Sequence, residues 1–409
     1  MNAGKIIKYY REQAQLTQGQ LGEGICSDTH ISKIERGITE YSDEITFLLA
    51  NRLHINLEEE HERFTELKKL LFRWEDSMIR QHHYEMERIK NTLDQEQDII
   101  IFEYYVFYNL LLARYYLIKY DTEKAYKIIK NIQKKYNKLA PFESNLLLHI
   151  IGIYYIDTNA FDKALQSLSV INQDDYDNLE FYFHLSISYH ATHSLQKAHY
   201  YAEKVLEYFT KTKNYLSVID TEMILLMTGV IEEKRAFQEI VSQYETLLIN
   251  CDLFNVPDKK AKLLHNLSIE YYERKEYKKS IHYLQQSMDL LDKFSKVYLQ
   301  SLELFIRVSL EGNLMSKREL LLVANEGFKK AGTLNSELFV ILFSLLIHIL
   351  SNEIELYFTY LHETALPFFQ LNGYVSLQKK FYKDLFNLYK KNNQTEKALE
   401  IANRLINQL

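Results

Sequence analysis

Proline is nearly missing from this chain. Only 3 prolines and 11 glycines punctuate 409 residues. Sandwiches and barrels need a turn residue every few positions, so this scarcity excludes them and predicts long helices with short connections. Pro141 and Pro257 stand ahead of apolar-periodic runs, where a helix's first turn has no use for the missing N–H. Pro367 falls inside such a run, where a kink or a helix end is expected. Cysteine is also scarce: Cys26 and Cys251 cannot build a disulfide framework and fit a reducing compartment. No strong excess of either charge exists, the formal net charge being −6. Nor is there an apolar run of membrane length. The most apolar stretch, LFVILFSLLIHIL at 338–350, is too short to span a bilayer and reads as a buried core helix. The N-terminus MNAGKIIKYY has no signal-peptide core, so a cytoplasmic location is expected. With no P-loop, GxGxxG, HExxH or nucleophile elbow, neither an enzyme nor a cofactor is expected. The fold class is all-α, and the length calls for two or more domains or a repeat array.

What is present begins with LTQGQLGEGICSDTHISKIERG at 16–37. Thr17 followed by Gln20 is a capping box, and Gly24 is free to close the short helix beyond it. Ser27 caps the next helix, which buries Ile31 and Ile34 and stops at Gly37. Two short helices joined by a glycine-containing turn make a helix-turn-helix, and its second helix is the one that enters a major groove. Five short helices are expected in all between residues 4 and 57. LTQGQL, ISKIERG and ITFLLANRLHI together resemble the repressor-type helix-turn-helix domain of phage repressors and many bacterial regulators. That resemblance implies that Gln18 bonds a phosphate, that Asp28, Thr29, His30 and Lys33 face base edges, and that Arg36 reaches the DNA backbone. Lys33 can donate to guanine and Asp28 can accept from cytosine. Gly19 and Gly22 depart from the pattern and weaken the second helix. Residues 1–57 carry 6 basic and 7 acidic side chains. Phosphate neutralisation supplies most non-specific affinity, so one copy binds weakly and a dimer on a two-fold site is expected. The plainer alternative is a degenerate helix-turn-helix used only for packing.

Residues 58–99 read as one charged connecting helix with Phe64, Leu67, Leu71, Trp74 and Met78 on a single stripe. It can pair with its own copy or pack on the domain behind it, packing being the plainer choice.

From about residue 100 to 409 a pattern recurs. Leu264, Leu267, Ser268, Tyr271, Tyr277, Ser280, Leu284 and Ser287 match the tetratricopeptide spacing, as do Leu148, Ile151, Gly152, Tyr155, Phe161, Ala164, Leu168 and Ile171. Further frames centre on Ala125, Ala198 and Ala398, which predicts about eight helix pairs stacked into a right-handed superhelix. The first helix of each pair lines the inner wall. That register places Arg114, His149, His184, Asn266 and Asn387 inward as the candidate peptide-binding residues, with Asp157, His190, His265, Glu273 and Asp384 also inward. An asparagine amide both donates to and accepts from an extended backbone, and Arg114 can grip a carboxylate. For each, a solvated or internally satisfied side chain is the plainer reading. Of His184, His190, His193 and His199 only 190 and 193 share a helical face, His193 falls in the turn, and no carboxylate or cysteine completes a set, so no metal is expected.

A repressor-like helix-turn-helix ahead of such an array resembles the RRNPP-type peptide-responsive quorum-sensing regulators of Gram-positive bacteria. That group includes PlcR, NprR, PrgX and Rgg, with the Rap phosphatases as members usually lacking the DNA-binding part. Length and repeat number look closest to NprR. LLHNLSIEYY is similar to the segment that presents a peptide-binding asparagine in Rap and NprR proteins, which supports Asn266. The resemblance implies a homodimer or higher homo-oligomer whose binding to double-stranded operator DNA is switched by a short signalling peptide. The alternative is a Rap-type scaffold that holds a phosphorelay or regulator protein and uses DNA little.

Overall fold

The computed structural model describes residues 3–38, 42–95, 104–229, 237–391 and 393–406. Every regular element among them is helical. The chain divides into two compact units, 1–150 and 151–409. The expected boundary at 99/100 lies outside the described residues.

The first unit begins with α1 (Ala3–Gln13), α2 (Gln18–Gly22), α3 (Asp28–Glu35) and α4 (Asp43–Arg52). Local chemistry sets these ends. The Thr17 side chain accepts from the Gln20 N–H while the Gln20 side chain accepts from the Thr17 N–H, and the Ser27 hydroxyl accepts from the His30 N–H. Gly24 and Gly37 both take the left-handed conformation that a side chain would resist. Ile7, Leu21, Ile31, Ile34 and Leu49 close the core of this module. Gly4 is required there: a Cβ would sit 2.0 Å from the Ile34 carbonyl oxygen, so α1 and α3 touch through backbone.

Of the five short helices expected between residues 4 and 57 the described residues hold four; the next, α5 (Leu57–Ile79), is long and begins only at the module's last position, and a separate α6 (His83–Gln95) comes after it. The single connecting helix expected over 58–99 is therefore broken at Arg80–His82, where Gln81 turns left-handed with φ +58°. The break lets α6 fold back on α5. Phe64, Leu67, Leu71, Trp74 and Met78 are all buried, so the apolar stripe is covered within the chain. α7 (Tyr105–Ile118) packs on α5.

Helix pairs continue to the end of the chain: α7 with α8 (Thr122–Lys135), α9 (Pro141–Asp157) with α10 (Phe161–Leu168), and α11 (Phe181–Ala191) with α12 (Leu195–Lys211). Next come α13 (Tyr215–Thr228) with α14 (Phe237–Leu253), α15 (Pro257–Glu273) with α16 (Tyr277–Asp289), and α17 (Lys296–Glu311) with α18 (Lys317–Thr333). The last are α19 (Glu337–Leu350) with α20 (Ile354–Tyr360) and α21 (Leu366–Leu371), then α22 (Val375–Lys391) with α23 (Thr395–Ile406). Pro141 and Pro257 open their helices. Ahead of Pro367 the helix widens into a π turn at Leu361–Ala365, which absorbs the hydrogen bond proline cannot make.

Each pair closes through small residues. On α15 and α16, Ser268 and Ser280 are fully buried, and the Ser280 hydroxyl donates to the Ser268 carbonyl at 2.8 Å. A Cβ on Gly152 would lie 2.4 Å from Leu168 Cδ2, and Leu168 has no room to yield. Gly152→Ala is expected to destabilise by about 1–3 kcal/mol through overpacking, read as a lowered urea midpoint. Glycine is scarce because most inter-helix turns use other residues in the left-handed conformation. Asn159, Asn255, Asn313, Asn335, Asn352 and Asn393 are among them, asparagine being the side chain that tolerates it best. The 338–350 run forms α19, buried through Phe339, Ile341, Leu342, Phe343, Leu345, Leu346 and Leu350. Among the described residues no helix is long and apolar enough to cross a membrane.

Candidate functional site

Two surfaces carry the candidate residues. On the N-terminal module, Ile31 and Ile34 face inward with no exposure, which turns Asp28, Thr29, Lys33 and Arg36 outward along α3. His30 is half-buried. Part of this outward chemistry is already engaged at the helix ends. Asp28 Oδ1 accepts from the Thr29 N–H at 2.7 Å, and Arg36 Nε donates to the Ser32 carbonyl at 3.2 Å.

Gln18 sits at the first position of α2 with its amide fixed. Nε2 donates to Glu35 Oε2 at 2.8 Å. Glu35 is buried and also accepts two bonds from Arg11, whose Nη1 reaches on to the Leu16 carbonyl at 2.8 Å. Arg52 donates to the carbonyls of Leu21 and Glu23. None of this network was legible in the sequence, since Arg11 and Glu35 are 24 positions apart with no pattern linking them. It has an electrostatic consequence. Of the module's six cations Arg11 is buried and Arg52, at the surface, spends donors on the Leu21 and Glu23 carbonyls; the other four are Lys5, Lys8, Lys33 and Arg36.

The candidate inner-face residues differ in what they can offer. Arg114 (3% exposed) and His149 (0%) are buried, so neither presents a surface in this arrangement. His184 on α11 and Asn266 on α15 are half-buried, and Asn387 on α22 is exposed. Asn266 Nδ2 points at Met227 Sδ at 3.3 Å. A thioether is a weak acceptor, so a peptide carbonyl could replace it readily while the Asn266 carbonyl accepts an N–H. Beside it, His265 is fixed to Ser301 at 3.0 Å, and burial pushes its pKa down to about 4. The ring thus stays neutral at pH 7 and supplies no charge to a ligand.

His265 is also a stability determinant. With a folded pKa near 4 and an unfolded one near 6.5, the folded state binds fewer protons between those values. Its contribution is present above pH 6.5 and is lost as pH falls toward 4. Moving from pH 7 to pH 5 should cost about 2 kcal/mol, and urea unfolding of the His265→Gln variant should show a flatter dependence.

Farther along the same face a cavity of about 180 Å³ opens among α15, α17, α19, α20 and α22. That is less than the roughly 300 Å³ at which small-molecule sites begin, and it suits one side chain. Leu342, Leu345 and Leu346 line it. Its lining holds Arg307 paired with Glu303 one turn away and the Tyr272 hydroxyl donating to Glu311 at 2.7 Å, together with Lys380 and Asp384. Burial raises the Asp384 carboxyl and pushes the Tyr357 hydroxyl up to about 12.

Comparison with known proteins bears on both surfaces. Residues 7–59 match the helix-turn-helix family model. The transcriptional activator NprA of Geobacillus stearothermophilus is 20% identical over 367 residues, covering 86% of this chain and 89% of that protein. Among solved structures, the apo quorum sensor NprR from B. thuringiensis superposes with a TM-score of 0.65 at 20% identity, over 84% of this chain and 99% of that one. A Rap protein complexed with competence and sporulation factor gives a TM-score of 0.72 at 13% identity, over 84% and 98%. NprR in complex with its cognate peptide NprX gives 0.65 at 22% identity, over 82% and 99%. The structural likenesses speak for the fold, and the helix-turn-helix match identifies the N-terminal module. With a helix-turn-helix leading an array of helix pairs, this chain is similar to the transcriptional activator NprA along most of its sequence and shares the fold of the NprR and Rap structures.

Proposed function

We propose that this protein is a transcriptional regulator that binds operator DNA through α2 and α3 and is switched by a short peptide on the first-helix face of its array. The observation that carries this reading is Asn266, a half-buried amide held by a thioether sulfur, in the same chain as a helix-turn-helix. NprR is a quorum sensor with a cognate peptide and NprA is a transcriptional activator, which supports the same assignment here. The residues proposed for DNA are Gln18, Asp28, Thr29, His30, Lys33 and Arg36, with the module taken as 1–57. On the peptide side Asn266 leads, with His184 and Asn387 on the same unit; Arg114 and His149 would join only after a rearrangement that exposes them. Six cations against seven acidic side chains leave one module near neutral, so two copies on a two-fold site are part of the proposal.

Asn266→Ala removes two hydrogen bonds to peptide backbone and is expected to weaken peptide binding by about 10–100-fold. Affinity for DNA without peptide should be unchanged. Fluorescence anisotropy of a labelled random hexapeptide pool, run beside DNA retention, reads both. Equal loss of both functions would mean that Asn266 is structural.

The small cation count favours one other reading, a scaffold that holds a protein partner. The two differ in salt dependence. Operator binding falls steeply with salt and discriminates sequence, and a scaffold shows neither behaviour.

A further inference from the structure

Positive charge in this chain is concentrated in one place. Between Lys119 and Lys138 stand seven lysines against Asp121 and Glu123, an excess of five positive charges in a chain whose formal net charge is −6. Lys124, Lys127, Lys130, Lys134 and Lys135 lie on α8, and all of them are exposed while Ala125, Ile129 and Ile132 are buried. Lys127, Lys130 and Lys134 follow at spacings of 3 and 4, so they form one ridge opposite the buried face. Near the start of the helix Lys124 pairs with Asp121 and Lys127 with Glu123. Lys130, Lys134 and Lys135, farther on, are paired with no carboxylate among the described residues. Aromatic rings hold two of these heads in place: Lys130 Nζ lies 5.5 Å from the centre of the Tyr126 ring, and Lys135 Nζ 4.3 Å from that of Tyr105. A ring face attracts an ammonium without occupying its N–H donors in ordinary hydrogen bonds, so they stay available to an anion.

We propose that the exposed face of α8 is a second DNA contact, gripping the phosphate backbone that flanks the site read by α3. This contact rests on the DNA-binding reading above and supplies what that reading lacks. A helix-turn-helix with six cations and seven acidic side chains has little charge of its own to neutralise phosphates. α8 belongs to the same compact unit and is tied to the module by packed helices, α8 on α7, α7 on α5 and α5 on α1. Chemistry and dimensions favour a duplex over a protein partner. Apart from Tyr126 the exposed positions of α8 are polar or charged, so the face lacks the apolar centre of a protein interface. A duplex presents one negative charge per about 1.7 Å of its axis, and the roughly 16 Å of helix between Lys124 and Lys135 meets several phosphates at once. Lysine heads act as point charges on flexible stems, which suits phosphates and reads no bases. The contact therefore raises affinity for any sequence and leaves discrimination to α3.

The test measures retention of the full chain on fragments of its own promoter region and on an unrelated duplex, across a series of salt concentrations. One variant combines Lys130→Gln, Lys134→Gln and Lys135→Gln. A control of equal net charge combines Lys383→Gln, Lys390→Gln and Lys391→Gln, all exposed on α22. Each neutralised phosphate contributes about 0.9 to the slope of log affinity against log salt, so the α8 variant should lose about 2–3 from that slope on both duplexes. It should bind each at least ten-fold more weakly at low salt, with the ratio between them unchanged. Arginine at the same three positions should keep slope and affinity. If these lysines serve only the helix end, where the dipole favours cations, the urea midpoint falls and the slope stays, which overturns the contact. Parent-like DNA binding in the α8 variant, or an equal loss in the α22 control, overturns it as well while the DNA-binding reading stands. If the parent retains no duplex at low salt, that reading and the contact fall together. Loss of binding to phosphatidylserine vesicles with DNA binding kept overturns it by assigning the face to an anionic membrane.

Discussion

Glu35→Ala is expected to unfold the N-terminal module. Glu35 is 5% exposed and accepts from both Arg11 and Gln18, so alanine leaves the Arg11 guanidinium in the interior with its main partner gone. Breaking a buried pair from one side costs about 3–5 kcal/mol, as much as a small module has to lose. Circular dichroism and proteolysis around residues 1–57 would register the loss, and DNA binding would vanish with it. Glu35→Gln tests the cause. It keeps the shape and one acceptor oxygen, so it should be distinctly milder. Equal damage from both would place the effect in charge; no damage from either would show that the network does not hold the module together.

The second large effect is expected from Trp74→Ala. Trp74 is fully buried on α5, donates from Nε1 to the Met86 carbonyl of α6 at 3.1 Å, and stacks on Tyr108 of α7 at 5.9 Å. One side chain thus joins three helices. Truncation should cost about 3–5 kcal/mol from lost burial and the cavity left behind, with an orphaned carbonyl added. Trp74→Phe should recover most of the packing and leave only the hydrogen bond unmade. Because Trp74 is the only tryptophan, its fluorescence in the parent protein reports unfolding at this junction directly.

What the sequence made legible was local. The Thr17–Gln20 box, the Ser27 cap and the glycines at 24 and 37 work through contacts a few residues long, and each appears in the structure where the pattern put it. The repeat register was equally visible. Ser268, Ser280, Leu284 and Ser287 are fully buried because the pattern records which positions must be small or apolar at each crossing. Two other features were invisible for physical reasons. The break at Arg80–His82 has no glycine or proline, since Gln81 itself bears the left-handed strain. The Arg11–Glu35–Gln18 network and the Asn159–Tyr374 contact join distant positions, and no short-range rule connects them. The register placed Arg114 and His149 on an inner wall, yet both are buried: position within a repeat sets the direction of a side chain, and the surrounding packing sets what reaches solvent.

The most direct test of peptide-switched DNA binding is sedimentation of the full chain with fluorescent fragments of its own promoter region, at low and high salt, with and without short peptides encoded nearby. Sequence-specific retention that falls steeply with salt is expected, with a change of retention and of sedimenting mass on adding one peptide, and no such change in Asn266→Ala. Absence of specific DNA binding at low salt with every peptide would contradict the switch.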